Sequence, residues 1–274
     1  MSYQPIIPLA GYSGWKFLNR TLVQQKQAFD KAPDLARDID YFKAKIGKID
    51  SAEQLVADHR LLTVTLGAFG LDADIKAKAF IKKVLADGTL KTSALANRLS
   101  DKRYLEMART FGFGDFAVPS TKISDFGDKI VALYKERQFE AAVGNQDGNL
   151  RLAMALPRDL GAIAKKTSSD ATKWFTIMGN LPLRQVVQTA FNLPGSFGSI
   201  DLDKQLATLQ AKATAIFGSS GVSQFTDPEK IDKLVKLFLL RSDLATATAQ
   251  TSRGSTVLGM LQQGQSQFNS LLGR

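Results

Sequence analysis

Leu35-Ala-Arg-Asp-Ile-Asp-Tyr-Phe-Lys-Ala-Lys-Ile-Gly-Lys-Ile49 places apolar residues at 35, 39, 42, 46 and 49. Steps of four, three, four and three follow the 3.6-residue helical period and do not fit the two-residue period of a strand. The stretch predicts an amphipathic helix with one face to bury. The same rhythm recurs outward along the chain. Trp15, Leu18, Leu22 and Phe29 form one stripe, and Leu202, Leu206, Leu209, Ala213 and Ile216 another; Ile231, Leu234, Val235 and Phe238 form a shorter one. Strand alternation is nearly absent. Thr63-Val-Thr65 is β-prone, but it lies within a longer helical pattern at Leu61–Leu66 and reads as helix. The expected fold class is all-α, with many helices.

Start and stop signals agree with this reading. Ser51 with Gln54 reads as a capping box. Asp227 precedes Pro228, which suits the first helical position because its missing N–H would be unpaired there. Asp72/Asp74 and Asp201/Asp203 stand before Ile75 and Leu206, where carboxylates would cap helix N-termini and complement the dipole. Gly88 and Gly218 follow apolar stretches and could close helices in the left-handed conformation. Segments 112–122, 144–149, 192–199 and 218–223 are rich in Gly, Pro, Ser and Asn and read as loops.

The two halves look related. Ala68-Phe-Gly-Leu71 resembles Ala190-Phe-Asn-Leu193, Pro33 of Ala32–Leu35 answers Pro157 of Leu156–Leu160, and Leu99–Phe111 resembles Phe225–Phe238. The landmarks keep the same order in both halves, which predicts duplication of a helical unit of roughly 120 residues. The expected organisation is a first half at 1–120, a related half at 121–245 and an amphipathic tail at 246–274, with the joint near 119–124.

The chain has 274 residues, 36 Lys+Arg against 26 Asp+Glu, and a formal charge of +10. There is no cysteine, which excludes disulfides, thiol catalysis and zinc–thiolate sites. The only histidine is His59, so multi-histidine metal sites are excluded as well. No apolar run reaches the roughly 18 residues of a membrane span, and no basic region precedes the first apolar residues as in a secretory signal. Neither a membrane-spanning segment nor a secretory signal is expected.

Positive charge concentrates at 76–109. Lys76, Lys78, Lys82, Lys83, Arg98, Lys102 and Arg103 form a candidate basic face, joined by Lys91 and Arg109, against only Asp87, Asp101 and Glu106. Such a face could meet nucleic acid, anionic lipid or an acidic partner, or be the solvated side of amphipathic helices. No RNP, KH or zinc-finger motif accompanies it, so nucleic acid is not the expected partner.

Candidate chemistry is sparse. Asp58-His59-Arg60 reads as a surface charge cluster, because neighbouring helical residues point apart and Asp58 is poorly placed to orient His59. Gly112-Phe-Gly114 lacks the rest of a nucleotide-binding fingerprint. Asn145–Asn149 lacks the spacing and closing glutamate of a calcium loop. Neither catalytic residue, cofactor nor metal is expected. The tail carries Leu258, Leu261, Phe268 and Leu272 near one helical face, spaced by Gln and Ser; these are the candidate partner-binding residues.

Gly14-Trp-Lys-Phe-Leu18, Tyr41-Phe42, Gly67-Ala-Phe-Gly-Leu71, Leu95-Ala-Asn-Arg-Leu99, Asp101-Lys-Arg-Tyr104, Gln138-Phe-Glu140 and Pro182-Leu-Arg184 resemble the bacterial domain-of-unknown-function family 1217. The resemblance extends over residues 10–245. Members of that family are typically encoded among flagellar genes in alphaproteobacteria. The resemblance implies a role in flagellar structure, assembly or regulation and a cytoplasmic or flagellum-associated location, and brings no activity or catalytic residue with it. The expectation is a non-enzymatic protein that binds another protein, a flagellar component. The alternatives are a basic scaffold for nucleic acid or an anionic membrane surface, and an unrecognised enzyme.

Overall fold

A computed structural model describes residues 3–248. The described residues are helical throughout, with no strand: α1 (Gly11–Asp30), α2 (Pro33–Ile46), α3 (Ala52–Ala57), α4 (His59–Phe69), α5 (Lys78–Asp87), α6 (Leu95–Arg98), α7 (Lys102–Phe111), α8 (Phe126–Gly144), α9 (Gly148–Ala164), α10 (Asp170–Gly179), α11 (Leu181–Ala190), α12 (Leu202–Phe217) and α13, covering 228–248. Short 3₁₀ turns punctuate them at Asp72–Asp74, Ser120–Lys122, Gly195–Ser199 and Val222–Thr226. No helix among the described residues is long and apolar enough to cross a membrane.

The described residues divide into two compact units. One holds 3–8 and 16–151, the other 9–15 and 152–248. This differs from the expected joint at 119–124. The reason is α8, which packs along α4 and α2 and so belongs with the first unit. Phe126, Ile130, Val131, Tyr134, Phe139 and Val143 of α8 are buried.

In the first unit α4 is the central element. Leu61, Leu62, Val64, Leu66, Ala68 and Phe69 are all buried, and a helix apolar on every side must be enclosed. α2, α3, α7 and α8 enclose it. The stripe of α2 behaves as expected for Leu35, Ile39, Phe42 and Ile46, but the helix ends at Ile46 and Ile49 lies beyond it. Phe111 packs edge-on against Phe126 at 5.0 Å and beside Phe69 at 6.4 Å, a geometry favoured by the aromatic quadrupole.

In the second unit Trp174 is fully buried and its indole N–H donates to the carbonyl of Ser220 at 2.9 Å. Phe191, Phe217 and Phe225 continue the core from Trp174. α13 buries Ile231, Leu234, Val235 and Phe238 as their spacing predicts. α12 is turned relative to its expected face. Gln205, Leu209, Ala213 and Phe217 are buried, while Leu202 is exposed and Ile216 half-buried. Gln205 is tolerated inside because its amide donates to the carbonyl of Ile200 at 2.7 Å.

Ala68–Leu71 and Ala190–Leu193 end their helices in the same way. Each closes a helix with a left-handed residue, Gly70 (φ 68°) or Asn192 (φ 54°). Each makes the same hydrogen-bond pair: Gly70 N–H to Gly67 O and Leu71 N–H to Leu66 O in one, Asn192 N–H to Thr189 O and Leu193 N–H to Gln188 O in the other. A serine caps the preceding short helix in both units, Ser51 on α3 and Ser169 on α10. Asp58 and Asn180 then cap α4 and α11.

Candidate functional site

Three of the motifs that suggested the family meet in the first unit, around the C-terminal end of α4. Gly67 faces α8 so closely that a Cβ would lie 2.6 Å from Cε2 of Tyr134. Gly70 turns the chain, and the guanidinium of Arg103 on α7 donates to its carbonyl. That bond meets the negative end of the α4 dipole with a cation. Arg103 is itself held by Asp101, whose carboxylate accepts from Nη2 at 2.6 Å. This pairing raises the arginine's pKa further, while Asp101, despite its burial, stays below the usual carboxylate range.

The two acids that follow Gly70 do not cap α5, contrary to expectation. They lie in the 3₁₀ turn Asp72–Asp74. Asp72 accepts from the Gln138 amide at 2.8 Å, and Asp74 from the Tyr104 hydroxyl at 2.6 Å. α5 begins four residues after Asp74, with no side-chain cap. The carboxylates therefore tie the turn to α8 and α7. Burial and the bond to Asp74 push Tyr104 up to about 12, and burial, with the charges of Asp38 and Asp72, raises Tyr134 to about 12. The cluster is internally satisfied and fixes four elements to one another. Spacing suggested the motifs, but not that Tyr104 and Asp74, thirty residues apart, form one contact.

The surface charge cluster at 58–60 resolves in a similar way. Asp58 is the N-cap of α4, accepting from the amides of Arg60 and Leu61 and from the Tyr41 hydroxyl at 2.6 Å. Burial opposes its charge, but these three bonds outweigh it and hold the carboxyl below its ordinary range. His59 turns away to Thr63, with Nδ1 3.0 Å from the hydroxyl. Arg60 lies over the Tyr41 ring at 4.1 Å and pairs with Asp38.

The candidate basic residues are divided among several tasks. Lys82 pairs with Glu53 of α3, Lys83 with Asp87, and Arg103 with Asp101. Lys102 donates to the carbonyls of Asn97 and Leu99. Lys76, Lys78 and Arg98 are exposed and make no ion pair among the described residues. Asp201 caps α12 as expected, through the amides of Asp203 and Lys204. Asp147 caps the start of α9, which makes 145–149 a turn. Gly218 closes α12 in the left-handed region, whereas Gly88 has φ 68° with an extended ψ of −155°. Leu258, Leu261, Phe268 and Leu272 lie outside the described residues.

Sequence reading gave no hint of Lys173. Its side chain is buried in the second unit, where Nζ donates to Ala164 O at 3.0 Å and to the Ser223 hydroxyl at 2.6 Å. The Ser223 hydroxyl and the amides of Val222 and Ser223 donate to Asp170. The group joins α9, α10 and the turn before α13. An open pocket of about 250 Å³ in the same unit is lined by Pro157, Gly161, Lys165, Phe225, Thr226, Pro228, Ile231 and Asp232. Among the described residues no three His, Asp or Glu side chains gather as a metal site.

The fold is shared with a known structure. The crystal structure of a protein from Agrobacterium tumefaciens is similar over 89% of this chain and 99% of its own, with 27% identity and a TM-score of 0.69. No curated protein matches significantly. The model of the family described as "Protein of unknown function (DUF1217)" matches residues 68–231, a span that includes the end of α4, the 3₁₀ acids, Arg103, Tyr104 and Gln138. The chain belongs to the DUF1217 family.

Proposed function

We propose that the chain is a non-enzymatic binding protein of the flagellar system, and that its C-terminal segment engages a partner protein. One observation carries the reading. α13 buries Ile231, Leu234, Val235, Phe238 and Leu239 on one side, yet Leu240 and Leu244 are 45% and 67% exposed on the other. From Leu240 and Leu244 the same three-and-four spacing runs on in the sequence through Ala247, Thr251, Gly254, Leu258, Leu261, Gln265, Phe268 and Leu272. Such a repeat is the seam of a helix that packs against another helix. Thr251, Gly254 and Gln265 weaken the seam, and Gly254, Gly259 and Gly264 disfavour an isolated helix by roughly 0.5–1 kcal/mol each in a helical interior. A segment of this kind is ordered by the surface that covers it, with the ordering entropy subtracted from affinity.

Family membership supports the flagellar setting, through the genes among which members are encoded. The site around Gly70 supports a scaffold role, since its polar groups are spent on one another. The test is truncation after Thr251 with affinity capture from the native cell. Loss of captured flagellar protein with an unchanged melting transition supports the reading. A large fall in melting temperature, or undiminished capture, overturns it.

A further inference from the structure

Two loops of the first unit, 88–94 between α5 and α6 and 112–118 after α7, are clamped together. A Cβ on Gly114 would lie 2.2 Å from Ala86 O and 2.4 Å from Gly88 N, so only glycine permits the crossing. Beside it, Asp115 accepts from Thr89 N at 2.6 Å, Thr89 Oγ1 at 2.8 Å and Leu90 N at 3.1 Å. Asn97 holds the same loop from the other end, donating to Thr89 O and Lys91 O at 2.8 and 2.7 Å. Gly112 closes α7 in the left-handed conformation (φ 66°), so both glycines, 112 and 114, are explained by backbone geometry.

What this clamp displays is apolar. Leu90 is 72% exposed, Phe116 59% and Val118 68%. Single exposed apolar side chains are ordinary, but here three large ones stand on two loops that a polar clamp joins. The flanking charge is positive. Lys91 follows Leu90, and Arg109 on α7 is near enough to Asp115 to lower its pKa alongside the hydrogen bonds that dominate over burial. Both cations are exposed and make no ion pair among the described residues. Of the acids on or beside these loops, Asp115 is occupied by the clamp and Asp87 by Lys83 and the Leu95 amide, while Glu106 stands one turn before Arg109 on α7.

We propose that these paired loops dock the chain on an anionic lipid surface, with Leu90, Phe116 and Val118 entering the interface and Lys91 and Arg109 meeting the headgroups. Apolar side chains beside cations are the combination that interfacial binding requires. The residues stand on loops and do not line a helix groove, so a surface without fixed shape suits them better than a folded peptide. The loops are separate from the C-terminal segment, and this binding does not depend on it.

The test uses the full chain and sedimentation with vesicles of equal phosphatidylglycerol and phosphatidylcholine, against phosphatidylcholine alone. Binding should occur on the anionic vesicles and be roughly tenfold weaker or more on neutral ones. The double variant Leu90→Ser/Phe116→Ser, and separately Lys91→Glu, should weaken it by a similar factor with an unchanged melting temperature. Because the chain lacks cysteine, Leu90→Cys can carry one environment-sensitive dye, which should shift to the blue on anionic vesicles. No binding of the unaltered chain to anionic vesicles overturns the proposal. So does full binding by the double variant, which places the lipid contact elsewhere. A dye response to soluble polyglutamate equal to that on vesicles also overturns it and assigns the loops to an acidic protein.

Discussion

The ring of Tyr134 lies against the backbone of Gly67, where a Cβ would come within 2.6 Å of Cε2 and 2.8 Å of the Gln138 amide nitrogen. This contact sets how closely α8 approaches the central helix. Alanine at 67 would gain about 1 kcal/mol of helix propensity, but the buried ring cannot retreat without disturbing the core. Gly67→Ala should therefore be destabilising by about 1–2 kcal/mol net, since overpacking costs about 1–3 kcal/mol. Chemical denaturation checks this, and the loss should vanish in a Tyr134→Leu background.

Tyr104 offers an alkaline test. Its pKa rises from 10.0 to about 12, through burial and the bond to Asp74. A raised folded pKa stabilises below the unfolded value and loses that contribution as pH rises through the folded one. The protein should keep this contribution to about pH 10 and lose it between there and pH 12. Ultraviolet titration should show Tyr104 and Tyr134 ionising last, and Tyr104→Phe should remove one of those late steps.

Asp58 gives the acid counterpart. Its carboxyl is held below the ordinary range by Tyr41 and two amides, which outweigh burial. A depressed folded pKa contributes stability above the unfolded value, lost as pH falls through the folded one. Stability should decline below about pH 4. Asp58→Ala should lower stability at neutral pH by about 1 kcal/mol, the usual worth of an N-cap, and flatten the acid decline. Denaturation curves of both proteins across this range provide the check.

Lys173→Met keeps most of the buried stem but removes the donor to Ala164 O and Ser223 Oγ. Leaving a buried carbonyl unsatisfied costs about 1–3 kcal/mol. The melting temperature should fall, and hydrogen exchange should quicken in the Val222–Thr226 turn, which Asp170 and Ser223 hold in place.

The parts legible in the sequence were those with one apolar face and a clear edge. Leu35 to Ile46 and Ile231 to Phe238 obey the helical period because each helix buries a single side. α12 was harder, since the buried Gln205 replaces a hydrophobic residue and finds its partner in Ile200 O, invisible to a periodicity argument. Asp72 and Asp74 have the composition of caps, yet their partners Gln138 and Tyr104 lie far along the chain. Lys173 reads as surface, because nothing local marks the carbonyl and hydroxyl that satisfy it. The loop patch was hidden too, because exposure of Leu90 and Phe116 follows from the Gly88–Gly114 crossing and not from their own neighbours.

The proposed partner surface is the outer side of α13 and the segment beyond it. Leu240→Ser/Leu244→Ser tests it most directly, because both side chains are exposed and their loss removes little burial within the second unit. Affinity capture with this variant from the native cell, beside its melting curve, is the decisive measurement. The expected result is a melting temperature equal to that of the unaltered chain and loss of the captured partner. Full capture by the variant would contradict it.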